Sequence, residues 1–119
     1  MGPSSYNPNS LQTRQSRRIT AVLARTTASV IYEVPVGKIA RVTNVTICNT
    51  STSRMTIRLH HVGPGESAAA SNALFYDLEM AGNTTITDDS IRSLVPGDRL
   101  FAQASSASSV AFLVYGDFE

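Results

Sequence analysis

The stretch over residues 30–49, VIYEVPVGKIARVTNVTICN, constrains the fold more than any other part of the chain. Val30, Ile31, Tyr32 and Val34 favour extended backbone, and the run resumes with Ile39, Val42, Thr43, Val45, Thr46 and Ile47. Most of these side chains are β-branched and fit a pleated surface. Between the two runs, Pro35 presets φ for a turn and Gly37 supplies positive φ without steric cost. The stretch reads as strand, tight turn, strand. Its second strand breaks phase: Ala40 and Val42 share one face, Val45 and Ile47 the other. A one-residue bulge near Thr43 and Asn44 would return both pairs to one core.

The rest of the chain repeats this grammar. Residues 19–25 make a short first strand and residues 29–34 a second. Residues 54–62 alternate, with Met55, Ile57, Leu59 and His61 on one face, as expected of a half-buried antiparallel strand. Residues 74–80 alternate again, placing Leu74, Tyr76, Leu78 and Met80 together. Short strands follow at residues 84–87 and 91–95, and residues 99–104 and 110–115 read as a hairpin across a serine-rich turn. The alanines at 68–70 have room for one helical turn only. About eight short strands spaced by turn clusters predict an all-β fold, a small antiparallel β-sandwich of jelly-roll-like type. At 119 residues the chain is one domain, long enough to bury a core without disulfides.

Charge divides the chain. Residues 1–25 hold Arg14, Arg17, Arg18 and Arg25 and no acid, whereas the remainder holds six cations against nine anions. The first 18 residues, with Pro3, Pro8 and several Asn and Ser, lack periodicity. They read as an extended basic N-terminal arm preceding a sandwich at 19–119. The opening MGPSSYNPNS has no apolar core, so no secretory leader is expected here. No apolar run approaches the roughly 20 residues of a membrane helix, so no membrane partner is expected.

Nothing in the chain assembles a reaction centre. His60 and His61 are adjacent, and neighbours on a strand point to opposite faces, so the two do not chelate one metal. Asp88-Asp89 lacks the alternating oxygen ligands of a calcium loop. Gly63-Pro64-Gly65 has neither the lysine nor the strand-to-helix context of a phosphate loop. The single Cys48 reads as a small buried hydrophobe. No catalytic residue, cofactor or metal is therefore expected, and the protein reads as a non-enzyme. Four arginines interleaved with no aromatic, on an otherwise acidic body, argue against nucleic acid and for an acidic protein surface.

From Val34-Pro35-Val36-Gly37-Lys38 through Cys48-Asn49-Thr50-Ser51, the chain resembles small virion structural proteins of tailed bacteriophages. The resemblance continues in Val62-Gly63-Pro64-Gly65, Asn72-Ala73-Leu74, Asp77-Leu78, Leu94-Val95-Pro96-Gly97-Asp98 and the closing Tyr115-Gly116-Asp117-Phe118-Glu119. It covers roughly residues 30–119 and lies in the order of the motifs, each of which alone is turn chemistry. It implies a β-sandwich in the virion, a head decoration or cement protein, with a neck, collar or tail component as the alternative. It also implies a symmetric oligomer, a trimer favoured, with sibling subunits and another virion protein such as the major capsid protein as partners. Arm contacts are then expected from Arg14, Arg17 and Arg18 on acidic surfaces and from Tyr6, Leu11 and Ile19 as apolar anchors. A carbohydrate-binding module is the reading from another class, on Tyr6, Tyr32, Tyr76 and Tyr115 as sugar platforms.

Overall fold

The computed structural model describes residues 16–118. It contains nine strands: β1 (Arg17–Leu23), β2 (Ser29–Glu33), β3 (Ala40–Asn49), β4 (Met55–Val62), β5 (Ala73–Met80), β6 (Thr85–Asp88), β7 (Arg92–Leu94), β8 (Arg99–Ala104) and β9 (Val110–Phe118). A 3-10 turn, Ala70–Asn72, precedes β5. One sheet runs β1-β9-β3-β6, with β7 continuing β6 along β3; the other runs β2-β8-β4-β5, and every pairing is antiparallel. If β6 and β7 count as one broken strand, the eight strands wind as a jelly roll, the expected fold. β1 begins at Arg17, two residues before the expected first strand, so Arg17 and Arg18 belong to the sandwich.

Most connections cross between the sheets, and this corrects the expected hairpin at 99–115. β8 lies in one sheet between β2 and β4, and β9 lies in the other between β1 and β3. The Pro35-Gly37 turn likewise carries the chain from β2 to β3 across the sandwich. Adjacent strands pair as a hairpin only at β4–β5 among the described residues. Alternation reports which side of a strand is buried and is silent on which neighbour it pairs with.

The expected bulge is present: the β3–β9 register shifts between Val42 and Asn44. Val42, Val45 and Ile47 thereby all face the core, each at most 1% exposed. Ile57, Leu59, Leu100, Phe112 and Val114 fill the space between the sheets, none more than 2% exposed. Gly116 sits beside the bulge. A Cβ there would lie 2.1 Å from the Arg41 carbonyl oxygen, so close backbone approach requires glycine.

β5 departs from simple alternation. Asp77 adopts φ 53°, and the register with β4 shifts, so that Phe75 lies opposite Leu59 and Leu78 opposite Ile57. Tyr76 turns outward and is 48% exposed. The bulge replaces the expected inward Tyr76 with Phe75. A left-handed residue inside a strand is unusual; Asp tolerates it better than most.

Three Pro-Gly corners gather at one end. Gly37, Gly65 and Gly97 all have positive φ, and hydrogen bonds Lys38 N to Pro35 O, Glu66 N to Gly63 O and Asp98 N to Val95 O close their turns. Asp98, buried, accepts from Val95 N at 3.0 Å through Oδ2, which also lies 3.0 Å from His61 Nε2. At the opposite end, the amide of fully buried Asn49 donates to the carbonyls of Ser53, Met80 and Ala81 at 2.8, 3.2 and 3.1 Å. Its Oδ1 accepts from Ser51 N and Oγ. This one side chain ties the β3–β4 corner to the β5–β6 corner.

Candidate partner-binding surface

Of the residues expected to bind a partner, Tyr6, Leu11 and Arg14 lie outside the described residues. Arg17, Arg18 and Ile19 open β1. Arg17 and Arg18 are exposed, and Ile19 is half-buried at a register shift between Arg18 and Thr20. β1 is the edge strand of its sheet: β9 covers one side, and no described strand covers the other. β2 is the edge strand of the opposite sheet, directly across the sandwich. The Thr20 hydroxyl donates to the Ile31 carbonyl at 3.2 Å and bridges the two strands near their middle.

Beyond that bridge the two edges part. A cleft of about 250 Å³ opens between them, lined chiefly by Val22, Leu23, Ala24, Val30, Ile31 and Ala102. Leu23 and Val30 at its lips are 53% and 52% exposed. Arg25, at the far end of the same lining, is exposed. Arg17, Arg18 and Arg25 form no ion pair with any described acid. Strands β1 and β2, with the Arg25 that follows β1, thus carry three cations against the single acid Glu33.

Strand alternation alone does not locate this cleft, because it depends on which strands end the sheets. Leu23, Val30 and Arg25 are accordingly the residues that sequence reasoning missed. The signal available to it was Arg25, which closes the acid-free stretch that Arg14 begins. A second apolar group lies at the Pro-Gly end, where Val36 is 95% exposed, Val95 50% and Ile39 40%. β1 starts at this end, since Arg17 pairs with Gly116 and Ala40 with Phe118.

The other candidates resolve into structure. The His60 Nδ1–H donates to the Ala69 carbonyl and Asn72 Oδ1, both at 2.9 Å, and the ring is buried beneath the 3-10 turn. His61 is held by Asp98. Asp88 Oδ1 accepts from Ser90 N at 3.0 Å, and its Oδ2 meets Arg92 Nη2 at 2.9 Å. The Ser90 N–H is the main reason its carboxyl titrates below the usual range; burial opposes this and Arg92 adds to it. Among the described residues no group of three His, Cys, Asp or Glu could hold a metal ion.

A polar cleft of about 160 Å³ on the outer face of the β2-β8-β4-β5 sheet is lined by Thr26, Thr56, Arg58, Asp77, Gln103 and Ser105 among others. Its charged and amide side chains are already engaged. Arg58 forks onto Asp77 at 2.7 and 3.2 Å, and Gln103 Nε2 donates to Thr26 O at 3.0 Å. The same Arg58 hydrogen bond holds the Asp77 carboxyl low. Of the tyrosines expected as sugar platforms, Tyr6 lies outside the described residues. Tyr76 has the Arg58 guanidinium 4.0 Å above its ring. Tyr32 packs 6.5 Å from Phe118, and burial raises its pKa.

No known family, curated protein or solved structure matches the chain.

Proposed function

We propose that this protein is a non-enzymatic structural component of a tailed-bacteriophage virion. In this reading it is a head decoration or cement protein, assembled in the host cytoplasm and retained in the particle. It binds the capsid or its siblings through its basic N-terminal segment, in a symmetric oligomer for which a trimer is the favoured form. The ordered motifs over residues 30–119 supply the resemblance. The observation that carries it furthest is that the basic N-terminal segment leads directly into an edge strand, β1. It does so at the end where Val36, Ile39 and Val95 are exposed. A small sandwich built to stand alone would cover such an edge; one built to sit among neighbours leaves it for them.

Mass spectrometry of purified virions tests this. The chain is expected as a stoichiometric component of the head, and deletion of residues 1–15 is expected to remove it while the purified variant stays folded. Virions without the chain would overturn the reading. Location at the neck or tail by electron microscopy would keep the class and replace the decoration role.

A further inference from the structure

We infer that the cleft between β1 and β2 is a strand-docking groove for an extended, acidic segment of a different protein. The inference rests on the reading of the basic start of β1 as a partner-binding element, and it names that partner's chemistry. Three features coincide at this edge. Among the described residues no strand pairs with the outer side of β1, and an added strand would satisfy its backbone donors and acceptors. Val22, Ala24, Ile31 and Ala102 floor an apolar cleft with Leu23 and Val30 exposed at its lips, a place for alternate side chains of that strand. Arg17 and Arg18 stand at one end of β1 and Arg25 just past the other, all exposed and none paired with a described acid.

Charge selects among occupants. A second copy pairing β1 against β1 antiparallel about Ala21 would place Arg17 opposite Arg25, a like-charge contact at both ends. The N-terminal segment of this chain or of a sibling, residues 1–15, holds Arg14 and no acid and would add repulsion. A strand with apolar residues at alternate positions and acids at each end meets both the cleft and the arginines. The groove is therefore for another protein's strand, not for a sibling.

The probes are two synthetic peptides sharing a Val-Thr-Val-Thr-Val core, one flanked at each end by Asp-Glu and the other by Lys-Lys. Each is titrated into the full chain by fluorescence anisotropy, with amide hydrogen exchange read residue by residue. The acid-flanked peptide is expected to bind, to slow exchange in β1 and β2 but not in β5 or β6, and to weaken with added salt. The variant R17E/R18E/R25E should bind it about tenfold more weakly and prefer the Lys-flanked peptide. Equal binding of both peptides to the unaltered chain, no binding of either, or protection away from β1 and β2 would each overturn the groove. So would concentration-dependent protection of β1 without peptide, which would assign the edge to a second copy. Co-sedimentation with purified phage heads separates this from the broader reading. Heads that bind a chain whose groove takes no peptide overturn the groove alone. A peptide-competent chain that ignores heads overturns the virion role alone.

Discussion

Along the β5 and β6–β7 edge, charged pairs and backbone irregularities interrupt the strands. Arg54 and Glu79 pair at 2.6 Å, Arg58 and Asp77 at 2.7 Å, Asp77 bends β5, and Asp88, Ser90 and Arg92 hold the break between β6 and β7. Along the β1 and β2 edge there is one bulge in each strand, one bridging hydroxyl, and then an open apolar cleft flanked by arginines that pair with no described acid. Both edges expose the same backbone groups, and both lie on the same core. The exposed ion pairs of the first edge contribute little to stability, on the order of 0.2–1 kcal/mol each; their effect is to make that edge a poor template. The second edge has no such ion pairs among the described residues, and in the proposed reading it is where a neighbouring strand docks.

The largest effect expected from breaking this contrast is at Asn49, whose side chain fastens the closed side. Asn49→Ala removes the donor to three carbonyls and the acceptor for Ser51, in a fully buried site. A loss of about 2–4 kcal/mol is expected in urea unfolding, because buried carbonyls lose their partners without gaining water. Amide exchange should quicken first at the β3–β4 and β5–β6 corners. A loss under about 0.5 kcal/mol would show that the corners are held by their backbone alone.

At the open edge the expectation runs the other way. Leu23→Lys with Val30→Lys alters two side chains already about half exposed. The midpoint of unfolding should move by no more than about 0.5 kcal/mol equivalent. Binding of the acid-flanked peptide should nevertheless fall by more than about tenfold, through lost apolar contact at the lips of the cleft. A large loss of stability would place Leu23 and Val30 in the core of the sandwich and remove the distinction between the edges.

Much of this architecture is legible in the sequence, and the motifs explain why. In Leu94-Val95-Pro96-Gly97-Asp98, Leu94 is fully buried, Gly97 takes φ 87°, and Asp98 accepts from Val95 and holds His61. In Cys48-Asn49-Thr50-Ser51, the asparagine is the corner fastener. The phase break at Thr43 and Asn44 announced a bulge that is there. What alternation did not convey is pairing across the sandwich: a strand has the same two-residue period whichever neighbour it bonds. The inward turn of Phe75 and outward turn of Tyr76 were hidden for a related reason, since the single left-handed Asp77 reverses parity without altering composition. The cleft was hidden because it lies between two strands separated in sheet order, not in any one segment.

The smallest effect concerns the break between β6 and β7, and it isolates charge from shape. In Asp88→Asn the side-chain oxygen still accepts from Ser90 N, while the charge opposite Arg92 is lost. The folded carboxyl titrates below its usual range, so folding is favoured by the ionised form. That contribution is fully present above the unfolded value of about 3.9 and disappears as pH falls through the lower folded value. Both side chains are partly exposed, at 24% and 17%, so screening limits the expected difference to about 0.5–1 kcal/mol. The unaltered protein should exceed Asp88→Asn in stability by a constant amount from about pH 8 to about pH 5, and the two should converge near pH 2. Convergence would assign the contribution to the ionised carboxylate, held chiefly by Ser90 N and also by Arg92. A difference that persists in acid would assign it to the geometry of the Asp88–Ser90 turn, and the closed edge would then owe its interruption to backbone shape more than to charge.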